Sequence, residues 1–264
     1  MKILFIGDVY GRVGREMVAT HVKDLRSKHQ IDVVIANGEN ATHGRGISPL
    51  HYQELLSAGV DIVTMGNHFF SHNNPNSFYL KADHMVRPAN IHPSAAGYGS
   101  RHFDINGHHL RVTNLLGRVY MADLTASSPF EALDKILEEN TDVVHIVDFH
   151  AEATAEKLAL AYCYDGKVSA ILGTHTHVPT ADNHVFDNGL AYISDVGMCG
   201  PYKSIIGANI EQIIHKTKTG IPMHFDVATG PGVLNAVIIE IDEANGKALS
   251  IDRLQILPSE VTHD

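Results

Sequence analysis

The feature that most constrains this chain is a repeated pattern in which a short apolar run ends in glycine and is followed by polar side chains. Three such runs, 2–7, 33–36 and 62–65, lead to Gly7-Asp8, Gly38-Glu39-Asn40 and Gly66-Asn67-His68. Apolar runs closed by glycine predict buried strands that stop at tight loops. Helical spacing over 13–29 and a Ser48-Pro49 helix start separate the runs. This alternation predicts an α/β fold with a mostly parallel sheet and a site at the carboxyl ends of its strands.

The second half of the chain has two more apolar runs that lead to polar side chains, the second of them through glycine. The run 143–147 continues into Asp148-Phe149-His150, and the run 168–172 is followed by Gly173-Thr174-His175-Thr176-His177. Two histidines one residue apart, on a loop that leaves a strand, can turn both imidazoles towards one metal ion. Because candidate donors extend from Asp8 to His177, we predict one domain over residues 1–264, since two domains would divide the site.

Other segments predict antiparallel structure. Asn106-Gly107, between the runs 101–105 and 110–116, is a strong hairpin signal. Helices are predicted at 130–139, 153–162 and 209–216, and strands at 190–194, 223–227, 233–241 and 248–257. The carboxyl-terminal part therefore predicts antiparallel strands joined by turns.

Composition limits the partners and the compartment. The net charge of −10 argues against an extended nucleic-acid surface, which would need clustered Lys and Arg. No apolar run approaches the ~20 residues that cross a bilayer, and residues 1–8 indicate a first strand, not a signal peptide. Cys163 and Cys199 are too few for a disulfide framework. We predict a cytoplasmic protein that does not bind membranes, and a homo-oligomer stays open.

Eight side chains at strand ends form a candidate site: Asp8, Glu39, Asn40, Asn67, His68, His150, His175 and His177. Carboxylate, amide and imidazole donors without thiolate suit manganese, iron or zinc. So many donors favour two ions bridged by a carboxylate, the usual arrangement for phosphoryl chemistry. Structural alternatives exist for single residues: Asp8 as a helix cap, Asn67 as a turn residue, His150 as a core histidine, Glu39 and Asn40 as solvated loop residues. Their joint position at strand ends favours a metal site.

The order of these motifs resembles the calcineurin-like metallophosphoesterase signature, which runs D-x-H, GDxxD, GNH, His and GHxH. Tyr10 stands where the first histidine would be, and Glu39-Asn40 replaces the bridging aspartate. These departures match a narrower bacterial branch, the YmdB-type phosphodiesterases, as do the segments 87–90, 148–154, 173–183 and 195–198. The resemblance covers nearly the whole chain and implies a four-layer α/β/β/α sandwich of the metallophosphoesterase type.

The resemblance also implies which residues hold the metals. The first metal would be held by Asp8, Glu39, Asn40 and His177. The second would be held by the bridging Glu39 with Asn67, His150 and His175. His68 would lie beside the metals without ligating either. The implied cofactors are two divalent or trivalent ions per chain, with iron or manganese favoured and zinc as the alternative.

The implied activity is hydrolysis of cyclic nucleotides, with 2′,3′-cyclic AMP favoured as the small-molecule substrate. Two cations that hold a bridging water lower its pKa and supply hydroxide at neutral pH. His68 would then act as general acid on the departing ribose oxygen. Four residues in or near Gly-rich loops are candidates for substrate contacts, with solvated surface as their alternative: Arg45, Arg118, Tyr202 and Lys203.

Other functions stay open at this point. A phosphomonoesterase, an RNA-processing nuclease or a non-catalytic metal- or nucleotide-binding regulator could use the same fold. Such regulators usually lose metal ligands, and none is missing from the sequence. A TIM-barrel metal hydrolase would also use His-x-His, but normally on its first strand, where this chain has Asp8.

Overall fold

The computed structural model describes residues 1–72, 74–121, 126–139 and 142–259. In these ranges the helices are α1 (Gly11–His29), α2 (Pro49–Ser57), α3 (Asn76–Lys81), α4 (Pro129–Glu139), α5 (Thr154–Tyr164) and α6 (Ile210–Thr219). The first strands are β1 (Lys2–Ile6), β2 (Asp8–Val9), β3 (Val33–Asn37), β4 (Ile62–Thr64), β5 (Met85–Val86), β6 (Ser100–Ile105) and β7 (His108–Leu116). The later strands are β8 (His145–His150), β9 (Ala170–Thr174), β10 (His184–Val185), β11 (Ala191–Ile193), β12 (Met198–Pro201), β13 (Gly232–Ile241) and β14 (Ala248–Ile256).

The strands form two mixed sheets. The first sheet has the order β2-β12-β13-β1-β3-β4-β5, with β14 paired to β13, and the second has the order β10-β11-β9-β8-β7-β6. In the first sheet β1, β3, β4 and β5 run parallel, and in the second β7, β8, β9 and β11 do so. The predicted parallel arrangement of the early strands is confirmed. The long antiparallel pair β13–β14 confirms the predicted tail strands 233–241 and 248–257.

Three apolar layers show how the sheets and helices stack. Along β1, Leu4 faces α1 and α2, whereas Ile3 and Phe5 face the second sheet. The second sheet packs its other face on α4 and α5, where Leu133 and Leu160 are fully buried. Strands buried on both faces have no polar alternation, which explains their continuous apolar sequences. The layer order is helix, sheet, sheet, helix, as predicted.

Local sequence signals set several element ends. Ser48 caps α2, its hydroxyl accepting a hydrogen bond from the His51 N–H, and Pro49 is the first helical residue. The β6–β7 hairpin turns at Asn106 and Gly107, whose φ angles of 55° and 87° are those of a type I′ turn. In the residues described, no helix is long and apolar enough to cross a membrane.

One predicted strand is wrong. The segment 223–227 has no strand in the structure, and Val227 makes only an isolated bridge with Ala208. Instead, the Gln212 side chain forms two hydrogen bonds with Asp226 in this segment. Its amide nitrogen donates to the Asp226 carboxylate and its carbonyl accepts from the Asp226 N–H. The segment is therefore tied to the start of α6 rather than to a sheet.

His145, the first residue of β8, provides a pH test of this packing. Burial, with Arg111 nearby, lowers the pKa of His145 from 6.5 to about 3, and its Nε2 lies 2.7 Å from Thr113 Oγ1. The folded state therefore favours neutral His145, and this contribution to stability is present above pH 6.5 and lost as pH falls below that value. We expect about 1.4 kcal/mol of the unfolding free energy to be lost at pH 5.5 through this group.

The measurement is urea unfolding at pH 7.5 and pH 5.5. His145→Gln should reduce the difference in unfolding free energy between the two pH values by about 1.4 kcal/mol, whereas His109→Ala, at a side chain that is 62% exposed, should not. An unchanged pH dependence in His145→Gln would contradict the assignment.

Candidate metal centre

The predicted site residues converge at the carboxyl ends of parallel strands from both sheets. In the first sheet, Asp8 follows β1, Glu39 and Asn40 follow β3, and Asn67 and His68 follow β4. In the second sheet, His150 ends β8, and the loop after β9 carries His175 and His177. Asp8, Glu39, Asn40 and His150 are at most 1% exposed. Buried polar groups in such number need partners, which a cation would supply.

One group of donors surrounds Nε2 of His150. This nitrogen lies 2.9 Å from Asn67 Oδ1, 3.1 Å from Glu39 Oε1 and 3.1 Å from His175 Nδ1. The donor atoms of Glu39, His150 and His175 all lie within 4.8 Å of one another, so these residues could hold a metal ion. The neighbouring Gly66 must lack a side chain, because a Cβ there would come within 2.1 Å of the Glu39 carboxylate.

A second group lies around Nε2 of His177. That nitrogen is 3.1 Å from the Asn40 amide nitrogen and 3.8 Å from Asp8 Oδ1, and the same amide nitrogen donates to Glu39 Oε1. Asp8 Oδ1 is buried and has no hydrogen-bond partner among the described residues. Glu39 thus joins the two groups, which is the position a bridging carboxylate needs. In this structure the amide nitrogen of Asn40 faces His177 and Glu39, so ligation by the Asn40 oxygen would require a flip of the side-chain amide.

Asn67 does lie in a turn, in which the Phe69 N–H donates to the Gly66 carbonyl, whereas the other structural alternatives for single residues are not what the structure contains. Tyr10 is the N-cap of α1, and Asp8 instead accepts a hydrogen bond from the His175 N–H at 3.2 Å. Both His150 ring nitrogens contact side chains, Thr174 Oγ1 on one side and Asn67 Oδ1 on the other. His68 lies beside the two groups, with its Nδ1 2.9 Å from Asn40 Oδ1.

The buried carboxylates and imidazoles of the site shift one another's pKa values. Burial opposes charge on Glu39, but the His150 and His68 imidazoles outweigh it and hold the pKa of Glu39 well below its usual range. Burial also opposes charge on His150, yet the nearby carboxylates of Glu39 and Asp8 raise its pKa to about 9. Burial and the neighbouring His150 lower the pKa of His175 to about 3. The carboxylates of Glu39 and Asp8 therefore stabilise a positive charge at the position of His150, as a cation site should.

The His-x-His loop reaches the centre through an unusual backbone. His175 and His177 have φ angles of 103° and 68°, in the left-handed region that side chains rarely adopt. Such residues cost about 1–3 kcal/mol each and persist where surrounding contacts enforce them. The His177 Nδ1 donates to the Ile206 carbonyl at 2.8 Å, which directs its Nε2 towards Asp8 and Asn40.

A buried ion pair holds this loop in place. Lys157 of α5 is fully buried and donates to the Thr174 carbonyl at 2.9 Å and to the Asp195 carboxylate at 3.0 Å. Asp195 also accepts from the Thr176 N–H and the Gly197 N–H. The Gly197 carbonyl in turn accepts from the Asp8 N–H at 3.1 Å. The pair therefore connects the backbone of the His-x-His loop with that of Asp8.

Several buried polar residues near the site were not singled out from the sequence, although a signal for them exists. Lys157 occupies the apolar face of α5 together with Leu160, Ala161 and Tyr164. Asp148 lies inside the apolar strand β8, and Thr64 ends the apolar strand β4. A polar residue at a position that the pattern assigns to the core is the signal that could have found them. Glu152, whose carboxylate lies 3.2 Å from His175 Nε2, carries no such signal.

A cavity of about 560 Å³ opens over the centre. Its lining includes Glu39, Asn40, His68, His175 and His177. Of the four candidate substrate residues, Arg45 lines this cavity, whereas Arg118, Tyr202 and Lys203 are not among its lining residues in the described chain. Arg118 lies in the β7–α4 connection, where its N–H donates to Glu156.

Comparison with known proteins identifies the class and then the family. The fold is that of the calcineurin-like phosphoesterases: Bacillus subtilis YfkN, of that class, matches with a TM-score of 0.55 and 15% identity over 100% of this chain and 92% of its own. A Mycoplasma pneumoniae structure described as a novel phosphatase matches with a TM-score of 0.93 and 41% identity, over 100% of this chain and 97% of its own.

The sequence comparisons identify a smaller group of proteins within this fold class. The model of the YmdB-like protein family matches residues 4–254. The 2′,3′-cyclic-nucleotide 2′-phosphodiesterase of Bacillus subtilis is 45% identical over 259 residues, which is 97% of each chain. This chain therefore belongs to the YmdB-like protein family.

The Lys157–Asp195 pair generates a stability prediction. Asp195→Ala should lower the unfolding free energy by about 3–5 kcal/mol, because it leaves a buried ammonium without its counter-charge. Lys157→Met/Asp195→Ala should cost less than Asp195→Ala alone, since no buried charge then remains. Urea unfolding measures both. Glu16→Ala is the control, because it breaks an exposed ion pair with Arg12 and should cost less than about 1 kcal/mol. A double variant that costs as much as Asp195→Ala alone, or more, would show that the charges are not coupled.

Proposed function

We propose that this chain is a phosphodiesterase that uses two metal ions to hydrolyse cyclic nucleotides, with 2′,3′-cyclic AMP favoured. The observation that carries the proposal is the convergence of Glu39, His150 and His175 on one point, with Asp8, Asn40 and His177 around a second. The Bacillus subtilis relative, named a 2′,3′-cyclic-nucleotide 2′-phosphodiesterase, supports the substrate class.

The donor chemistry fits the implied metals. Seven residues would hold two ions: Asp8, Glu39, Asn40, Asn67, His150, His175 and His177. Carboxylate, amide and imidazole donors without thiolate favour iron or manganese, with zinc as the alternative. When bound, the ions would lower the pKa of a water nucleophile and neutralise charge on the phosphate.

The chain's own residues then orient the substrate and move protons. Opening of the cyclic phosphate breaks the bond from phosphorus to one ribose oxygen, which must take up a proton as it leaves. His68 lines the cavity with a side chain that is 22% exposed, and Asn40 Oδ1 holds its Nδ1 at 2.9 Å. Its other ring nitrogen, Nε2, would donate the proton. Arg45, which also lines the cavity, is the one favoured candidate for a substrate contact.

The same proposal covers organisation and compartment. Donors from both sheets contribute to the centre, so we infer that residues 1–264 act as one domain. The two cysteines are free, which suits the cytoplasm. The net charge of −10 disfavours a nuclease that tracks long RNA, because such enzymes need a basic surface.

Metal content tests the two-ion centre. The purified protein should carry about two ions per chain, and Glu39→Ala should lose both, because a bridging carboxylate serves two ions. Asp8→Ala should chiefly weaken one. The measurement is elemental analysis of metal-replete protein, with Glu138→Ala, at an exposed position of α4, as control. One ion per chain in an active protein, or full occupancy in Glu39→Ala, would contradict the bridge.

The leaving-group dependence tests His68. His68→Ala should keep both metals and lower kcat for 2′,3′-cyclic AMP by about 10²–10⁴, the range for loss of a general acid. The loss should be much smaller for bis(p-nitrophenyl) phosphate, whose leaving group departs without protonation. Steady-state kinetics on both substrates and metal analysis decide this, with His109→Ala as the control. Equal losses on both substrates, or a missing metal, would show that His68 is a ligand or an electrostatic contact.

A further inference from the structure

The cavity over the candidate metal centre is lined by a polar part and by an apolar part of the chain. The polar part is formed by the site residues already described. The apolar part includes four large side chains, here called the apolar wall: Ile206, Ile213, Met223 and Phe225. A cyclic phosphate with its ribose contacts only the polar part in the proposed reaction, and the cavity volume of about 560 Å³ leaves space beyond it. The apolar wall is thus a surface that the reaction itself does not use.

The apolar wall is exposed to solvent. Ile206 is 50% exposed and Met223 is 37% exposed, although each is a large apolar side chain. Covering such surface is favourable by roughly 25 cal/mol per Å². Arg45 and His224 line the same cavity. A flat group with apolar faces and polar edges fits this combination, whereas a hydrocarbon chain would leave these polar side chains unpaired.

The apolar wall is also held in position. Gln212, the neighbour of Ile213, exchanges two hydrogen bonds with Asp226, the neighbour of Phe225, at 2.6 and 2.7 Å. The Lys216 ammonium lies 4.9 Å from the centroid of the Phe225 ring. These contacts join the segment 223–226 to α6, so the wall does not have to be ordered when a ligand binds. Preorganisation of this kind raises affinity, because less entropy is lost on binding.

The backbone connects the apolar wall to the metal centre. Ile206 has a φ of 48°, which is costly for a β-branched residue, and its carbonyl accepts from His177 Nδ1 at 2.8 Å. The same residue therefore presents its side chain to the cavity and orients a predicted metal ligand. A ligand that spans both parts of the cavity would contact one continuous structure.

We propose that the apolar wall is the subsite for the nucleobase of the cyclic nucleotide, with Phe225 as the ring on which the base stacks. The inference rests on the proposed function, because it takes the cyclic phosphate to lie at the metal centre. Stacking on an aromatic side chain tolerates any base, since every base has a π face. The site thus selects nucleotides over other phosphodiesters through contacts remote from phosphorus, and it does not require one particular base.

The test compares 2′,3′-cyclic AMP with 1-O-methylribose 2′,3′-cyclic phosphate, which lacks the base. For metal-loaded wild-type protein, KM should be roughly 10-fold lower for the nucleotide, the scale expected for one stacked base. Phe225→Ala should raise KM for 2′,3′-cyclic AMP to near that of the base-free compound and leave the KM of the latter unchanged. Phe225→Trp should restore the preference, because it restores the ring.

Two further variants locate the subsite. Ile213→Ala, in the wall, should weaken the preference for the nucleotide, whereas Ile214→Ala, on the same helix and 42% exposed, should not. Equal KM values for the two substrates in wild-type protein would overturn the subsite. An Ile214→Ala effect as large as that of Phe225→Ala would also overturn it. A Phe225→Ala effect that appears with oligonucleotide substrates but not with 2′,3′-cyclic AMP would overturn it as well.

Binding separates failure of the subsite from failure of the proposed function. If the protein hydrolyses neither compound, the proposed activity is wrong, and the subsite is then judged by calorimetric titration with adenosine 3′-monophosphate and ribose 3-phosphate. A roughly 10-fold preference for the nucleotide that disappears in Phe225→Ala would still support the wall as a base subsite. Equal affinities would overturn it.

Discussion

The candidate site depends on a buried carboxylate that fixes the two sheets relative to each other. Asp148 of β8, in the second sheet, accepts hydrogen bonds from Asn37 of β3 and Thr64 of β4, both in the first sheet. Thr174 of β9 donates to its other oxygen at 2.7 Å. Apolar packing between sheets is non-directional, whereas a buried hydrogen-bond network has one geometry. Burial raises the pKa of Asp148 to about 6, which shows how costly this arrangement is.

A second buried network acts on the loops rather than on the sheets. The Lys157–Asp195 pair holds the backbone between His175 and His177 and, through Gly197, that of Asp8. Left-handed backbone at two histidines is maintained because these contacts surround it. The geometry of the candidate centre depends on buried polar residues outside it, and we expect their removal to act on the centre through that geometry.

Much of the fold could be predicted from the sequence because the parallel strands are buried on both faces and glycine follows the early ones closely. The parallel strands, the Asn106-Gly107 hairpin and the Ser48 cap are local properties that propensity and steric rules describe. The predicted strand over 223–227 is wrong because Met223 and Phe225 face a cavity rather than a sheet. An apolar pattern does not tell which surface covers it.

The sequence by itself determined which elements form, which residues end them, and the kinds of donor atom offered at those ends. Only the tertiary structure decided that donors from two separate sheets meet, because their convergence depends on contacts such as Asp148 with Asn37, distant in sequence. The apolar wall was likewise decided by tertiary structure, since Ile206 and Phe225 become neighbours of the centre only when loops from different elements fold over it. Chain-local rules describe strands and turns, whereas a site is a long-range property of packing.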